Sequence, residues 1–292
     1  MNDLHFRKCA VSLRTVTIAC ALVAAISLPV AAAAQQTPPR DLVRMALQNE
    51  MNDDSHFHLF TWKERKKRDH DTQMEQLVAT PNGIVSRVML IDDKPLNSTQ
   101  QAEERERIRK MLDPAQMSRK QREQREDDER THKMLANMAD AFDFTTLDTA
   151  TAPNGHKLTK IKFTARPGYN PPDRESMVFT GMQGEMLVDE TANRLAKIDG
   201  TLFKDVNFGW GILGKLYRGG RFYVEQSEVA PSHWDTTKMI LHFDGKALFI
   251  KPIHIDENES AWDFQPVAPM SVAQALDFLS HEAPAQNAML RR

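Results

Sequence analysis

Hydrophobic and polar residues alternate with a two-residue period through much of the chain. In the segment 156–165, Ile161 and Phe163 fall on one side of an extended backbone, and Lys160 and Lys162 fall on the other. Successive side chains of a β-strand point to opposite faces of the sheet, so this pattern predicts a strand with one buried face. Comparable patterns predict strands at 57–62, 72–80, 84–91, 156–165, 182–188, 194–203, 221–226, 236–243 and 246–255.

Turns and helices separate these strands into an α+β order. The Pro-Asn-Gly tripeptide at 81–83 and the Asp-Gly dipeptide at 244–245 are typical of hairpin turns, because Asn and Gly tolerate positive φ. Helical spacing of apolar residues predicts a short helix at 41–52 and a closing helix at 270–279. One large antiparallel sheet with helices packed over one face accounts for this order.

The segment 98–138 is strongly charged, and its pattern predicts a pair of helices. Ser98 is placed as the N-cap, and Gln101 completes a capping-box pattern. Helices are predicted over 103–111 and 118–138, with opposite charges recurring four residues apart. Because the two signs are mixed, a solvated helical pair lying over the sheet is favoured over a partner-binding or membrane-surface element.

The start of the chain has the composition of a secretory signal peptide. Basic residues precede the apolar run 15–30, and an Ala-x-Ala exit ends at Ala34, where cleavage is predicted. A retained membrane anchor and a lipoprotein signal ending at Cys20 are the alternatives. Residues 35–292 then form a single exported domain, and the style of the signal favours a bacterial periplasm.

Composition narrows the possible functions. The 292 residues are 41% hydrophobic and 27% charged, with a formal net charge of -2, which excludes a strongly basic nucleic-acid binder. Both cysteines, Cys9 and Cys20, lie within the predicted signal. The exported domain therefore has no thiol for a disulfide, a cysteine nucleophile or a cysteine-ligated metal.

Two motifs resemble known binding or catalytic sites, but the sequence around them does not support either kind of site. The segment 209–214 matches G-x-G-x-x-G, yet another predicted strand follows it with no room for the helix that a dinucleotide site requires. It is interpreted as a close backbone crossing. His56 and His58 share one face of a strand, and His233, His242 and His254 lie on or near late strands, but no spacing matches a metal box and no nucleophile elbow is present. No catalytic residue, metal or cofactor is predicted.

A family resemblance rests on the region from Met182 to Lys251. Its landmarks are Gly-Glu-Met-Leu-Val-Asp at 184–189, Ile-Asp-Gly at 198–200 and Phe-Gly-Trp-Gly at 208–211, in the order strand, turn, strand, glycine-rich crossing and further strands. This order resembles the LolA-type family of periplasmic lipoprotein carriers, the outer-membrane lipoprotein-sorting-like proteins, and also the RseB-type regulators. The resemblance implies an unclosed half-barrel whose hollow apolar face holds acyl chains beneath a helical lid. The long charged segment 98–138 departs from the carrier pattern.

The leading hypothesis is a non-enzymatic periplasmic protein that carries or senses a lipid or lipoprotein acyl chain, with an envelope membrane protein as a further partner and no nucleotide or nucleic acid. Flexible, polarisable methionines suit such a cavity. The alternatives are an interaction or regulatory module that uses the segment 98–138 and a histidine-dependent hydrolase. The predicted lining residues are Phe60, Trp62, Val88, Leu90, Phe163, Met182, Met186, Met239, Leu241 and Phe243.

Overall fold

A computed structural model describes residues 37–53, 59–67, 70–208, 214–247 and 251–281. The predicted signal peptide, His56 and His58 lie outside the described residues. Four α-helices, one 3-10 helix and 13 strands are described. The helices are α1 (Pro39–Asp53), α2 (Ser98–Met111), α3 (Pro114–Ala141), η1 (Glu175–Gly181) and α4 (Val272–His281).

Strands lie close to the predicted segments 72–80, 84–91, 156–165, 182–188 and 194–203, whereas the last predicted strand, 246–255, covers the end of one strand and the start of the next. The strands are β1 (Phe60–Lys67), β2 (Thr72–Thr80), β3 (Gly83–Ile91), β4 (Lys94–Pro95), β5 (Phe142–Thr151), β6 (Lys157–Ala165), β7 (Met182–Asp189), β8 (Arg194–Leu202), β9 (Val206–Phe208), β10 (Gly214–Leu216), β11 (Arg221–Ala230), β12 (His233–Ala247) and β13 (Lys251–Pro266).

All strands belong to one antiparallel sheet. Its order is β4-β3-β2-β1-β13-β12-β11-β8-β7-β6-β5, with the short strands β9 and β10 attached beside β12. The first and last strands of this order do not pair with each other, so the sheet is not closed into a barrel. The predicted α+β class with a large unclosed antiparallel sheet is confirmed.

One face of the sheet, called the inner face here, carries the main hydrophobic core. Ile161, Met186 and Ile198 lie opposite one another on β6, β7 and β8, so their side chains share this face. The helix α1, the end of α3 and η1 pack against it. Phe142 meets Phe163 and other aromatic rings edge to face, which fills this end of the fold.

The closing helix α4 lies on the other face, called the outer face here. Cross-strand pairing places Val78 and Val85 on the face opposite to Met186, and both pack with Ala275 and Leu279 of α4. Helices therefore lie on both faces of the sheet, whereas the sequence predicted them over one face only. The last six residues of β2 are buried whichever face they point to, but alternation does not show which helix covers each face.

The helix α2 protects an edge of the sheet. The Glu104 carboxylate accepts a hydrogen bond from the backbone N–H of Val88 at 2.9 Å, and Arg107 donates to the carbonyl of Ser86 at 2.8 Å. Glu104 and Arg107 are themselves ion-paired at 2.6 Å. These side chains occupy backbone groups of β3 that another strand would otherwise use, so this edge is closed to strand addition.

The helix α3 is solvated through its middle. Its N-cap is Asp113, and Pro114 occupies the first turn, where the missing N–H costs nothing. From 115 to 131 nearly every residue is exposed, whereas Met138 and Ala141 at its end are buried in the inner-face core. A helix that is polar all round depends on its ends and its ion pairs for stability. The predicted interruption near Pro114 is confirmed.

Two local predictions, a helix cap and a turn, were wrong, and one strand was not predicted. The cap of α2 is Asn97 with Gln100, one residue before the predicted pair. The Asp-Gly dipeptide at 244–245 is not a turn, because β12 continues through it to Ala247. A Cβ at Gly245 would lie 2.3 Å from the backbone oxygen of Lys215, so this glycine allows β10 to approach β12. The edge strand β5 is largely exposed and lacked the alternation that identifies a strand.

Candidate ligand-binding face

Apolar side chains continue along the inner face beyond the main core. Val224 of β11 lies opposite Met239 of β12, and Phe222 lies opposite Leu241. On the other side of β12, Phe243 lies opposite Ile255 of β13. Directly paired residues have neighbouring side chains on one face, so these six form a continuous apolar strip. It is called the apolar strip below.

The apolar strip is only half-buried. The main helix contacts fall elsewhere, with α1 on β5, β7 and β8 and η1 on β6 and β9. Within the described part of the chain, no helix packs comparably on β11, β12 or β13. Met239, Leu241 and Phe243 are each of intermediate exposure. Phe243 lies closest to the core, since its ring occupies the space that a Cβ on Gly220 would need.

Charged residues border the apolar strip on the same face. Glu259 lies opposite Met239, and Glu257 lies opposite Leu241. Glu259 also pairs with Lys66 of β1, with which it forms an ion pair. Glu64 and Glu75 continue the row on β1 and β2. These four carboxylates and one ammonium group are called the acidic border below, and Glu257 and Glu259 are its members directly beside the apolar strip.

Aromatic rings close the far end of the acidic border. Trp62 precedes Glu64 by two residues and stacks on Phe264, with ring centroids 5.9 Å apart. Phe60 stacks on His233 at 4.4 Å, and both are more than nine-tenths buried. The inner face thus offers apolar, acidic and aromatic groups side by side.

A pocket opens beside the acidic border. It has a volume of about 440 Å³ and lies where β1 and β2 part from β13. Lys66, Gln73, Ile255 and Glu257 reach it from the inner face, and the remaining wall is polar. A cavity of this size lies within the range of small-ligand pockets, so it has room for the polar group of a ligand.

The predicted lining residues separate into distinct groups. Phe163, Met182 and Met186 are at most 5% exposed and belong to the filled core beneath α1 and η1, so they do not line an open face. Met239, Leu241 and Phe243 do lie on the half-open strip. Because the core beneath α1 and η1 is filled, a cavity does not extend along the whole inner face. The candidate site is therefore restricted to β11–β13.

The other predicted residues lie toward the first strands. Phe60 and Trp62 form the aromatic contacts described above, and Val88 lies opposite Glu75 on β3. Leu90 lies opposite Met74, beyond a register shift in the β2–β3 pairing. Three residues of the apolar strip, Phe222, Val224 and Ile255, were not predicted although their two-residue spacing was visible. Ile255 was missed because the strand that contains it was misplaced, and Ile253 extends the same face of β13 opposite Gly245.

The three late histidines do not form one group, although His242 and His254 meet edge to face with ring centroids 6.1 Å apart. His233 lies on the inner face against Phe60, whereas His242 and His254 lie on the outer face near Asp244. No group of three or more His, Cys, Asp or Glu residues in the described ranges is arranged to hold a metal ion. Of the 209–214 motif, only Gly214 is described, and it begins strand β10 rather than a helix.

The outer face of the same strands is polar and internally paired. The Tyr223 hydroxyl donates to the Glu225 carboxylate at 2.6 Å, and Lys197, Arg221 and Lys238 lie over the Tyr223 ring at 4.9–5.8 Å. The hydrogen bond to ionised Glu225 favours the neutral phenol and, with burial, raises the pKa of Tyr223 to about 12. Along the described outer face of β11–β13 the paired residues are mainly polar or charged, among them His242, Asp256 and Asn258.

Titration of Tyr223 provides a test of this outer-face network. Because its pKa is raised from the ordinary 10.0 on folding, its contribution to stability is complete below pH 10 and is lost as the pH rises toward 12. We expect Tyr223→Phe to remove the most alkaline of the phenol transitions in the ultraviolet absorbance of folded protein. Glu225→Gln should move that transition to lower pH. An unchanged titration in both variants would contradict the described hydrogen bond.

No helix of the described residues is long and apolar enough to cross a membrane.

Comparisons with known proteins give few matches. No protein-family model matches the chain, and no curated protein matches it. The solved structure of a DUF1329 family protein from Desulfovibrio piger is 8% identical, with 85% of this chain and 100% of that one covered, at a TM-score of 0.27. MucB in complex with MucA(peri) is 8% identical, with 76% and 98% covered, at a TM-score of 0.20. TM-scores this low carry no argument about the function of this chain.

Proposed function

We propose that this protein is a non-enzymatic binding protein of the bacterial periplasm, and that it carries or senses the acyl chain of a lipid or lipoprotein. The observation that carries the proposal is the half-exposed apolar strip, which lies on the inner face beside a well-packed core. Large apolar side chains on the concealed side of a sheet are normally covered, and contiguous exposed ones mark a binding surface.

The energetics favour an acyl chain as the ligand of the strip. Each buried CH₂ group contributes about 0.8 kcal/mol, so a chain lying along Phe222, Leu241 and Phe243 binds without any polar chemistry. The methionine at 239 adapts to chains of different shape. The packed core under α1 sets the end of the site, so the chain lies across β11–β13 and does not penetrate between β6 and β8.

Lipid analysis of the purified protein tests the proposal. Native mass spectrometry followed by organic extraction should detect a stoichiometric phospholipid or acylated peptide on protein recovered from a periplasm. Leu241→Gln should reduce the affinity for a fatty acyl probe about tenfold, since it places a polar amide in the strip. Ile240→Gln is the matched control, because Ile240 is the next residue of the same strand and faces outward.

An interaction or regulatory module is the second candidate. The exposed middle of α3 favours it, because this long helix presents charged side chains on all sides. The two candidates separate in the same experiment. A clean ligand-free mass, together with no uptake of the acyl probe by the unmodified protein, would contradict acyl binding and leave α3 as the candidate binding element.

A further inference from the structure

The apolar strip ends at a border of defined charge. The acidic border comprises Glu64, Glu75, Glu257 and Glu259 with Lys66, and Arg107 of α2 interacts with the charge of Glu75. Glu257 and Glu259 lie on the strand next to Met239 and Leu241, and the other members lie farther along the same face. A ligand that lies along the strip therefore extends its polar end over carboxylates.

We propose that the ligand of the apolar strip is an amphiphile with a cationic head group, such as a primary or quaternary amine, held over the acidic border. This inference rests on the proposed function and specifies the ligand class of that same site. An anionic head group in the same position would meet repulsion from Glu257.

Glu257 is the strongest single argument for a positive charge. It lies opposite Leu241, is partly buried, and has no ion-pair partner among the described residues. Its neighbour Glu259 is already neutralised by Lys66. Placing a half-buried carboxylate beside apolar side chains costs solvation free energy, and an ammonium group of a ligand would offset that cost.

The pocket beside Glu257 supplies the space for a head group. It has a volume of about 440 Å³, and Lys66 and Glu257 line it from the inner face. Trp62 does not belong to this position, because it lies at the opposite end of the acidic border, two residues from Glu64, where it stacks on Phe264. The position of the head group is therefore defined by Glu257 and the pocket.

Two probes of equal chain length and opposite charge test the inference. Dodecyltrimethylammonium and dodecanoate are titrated, below their micelle concentrations, into the full protein at low salt. We expect the ammonium probe to bind about tenfold more tightly, and we expect added salt to reduce this preference. Glu257→Gln should remove most of the preference while leaving the dodecanoate affinity unchanged or improved.

The control variant is Glu185→Gln. Glu185 is a half-exposed carboxylate paired with Lys160 on the outer face, so its neutralisation changes net charge by the same amount at a distant place. Equal affinity for the two probes, tighter binding of dodecanoate, or equal effects of the two variants would overturn the cationic inference while leaving acyl binding intact. Failure of both probes to bind would overturn the proposed function and this inference together.

Discussion

Phe163→Ala is expected to destabilise the protein by about 3–5 kcal/mol and to leave acyl binding nearly unchanged. Phe163 is fully buried between β5 and β7, and its ring packs edge to face against Phe142 at 4.9 Å. Its removal leaves a cavity beneath α1 and η1 that surrounding side chains cannot fill. Chemical denaturation gives the change in the free energy of unfolding, and an acyl-probe titration of the folded variant gives the affinity.

The matched variant for this experiment is Phe243→Ala. Phe243 is half-buried on the apolar strip, so its truncation should cost less stability and more affinity than Phe163→Ala. Phe163→Ala should thus have the larger effect on stability, and Phe243→Ala the larger effect on affinity. This difference distinguishes a residue of the filled core from a residue of the binding face. A strong loss of acyl affinity in Phe163→Ala at full folding would show that the ligand enters the core, contrary to the site proposed here.

Arg107→Ala is expected to cost about 2–3 kcal/mol, because it leaves the Glu104 carboxylate buried without its cation. Glu104 is 8% exposed, and Arg107 both neutralises it and binds the Ser86 carbonyl of β3. The value lies below that of a fully buried pair, since the Arg107 side chain is 36% exposed and water replaces part of the interaction.

Arg109→Ala is the matched control on the same helix. Arg109 and Glu106 form an exposed pair with the same three-residue spacing, for which the expected cost is within about 0.5 kcal/mol. The double variant Glu104→Ala with Arg107→Ala should cost less than the sum of the two single changes, because each single change leaves one unpaired charge and the double variant leaves none. Additive effects, measured by denaturant unfolding, would contradict coupling at the sheet edge.

The alternating pattern predicted much of the sheet, because a strand with one buried face alternates apolar and polar residues in its own sequence. The pairs Ile161/Phe163 and Met182/Met186 therefore identified β6 and β7 correctly. The same pattern did not distinguish a filled core from an open face. That difference depends on where α1 docks, and no periodicity within β6, β7 or β12 records the position of a distant helix.

Other features were out of reach for equally physical reasons. Asn97 and Ser98 are both good N-caps, so composition did not decide between two adjacent starts for α2. Gly245 was predicted to be a turn residue. Its actual role is to allow the close approach of the β10 backbone, which is a contact with a distant segment that the local sequence does not show. The acidic border was not predicted, since it arises from pairing between β1 and β13, which are almost two hundred residues apart.

That pairing has a consequence for how the chain reaches its native state. The strand β1 contributes to the centre of the sheet, yet one of its two neighbours is β13, which ends at Pro266. Contacts across such a sequence separation form slowly, because a long loop must close before they contribute. During synthesis, the edge of β1 that pairs with β13 stays unpaired until almost the entire chain has been made. The charged side chains of β1 help to keep this unpaired edge soluble.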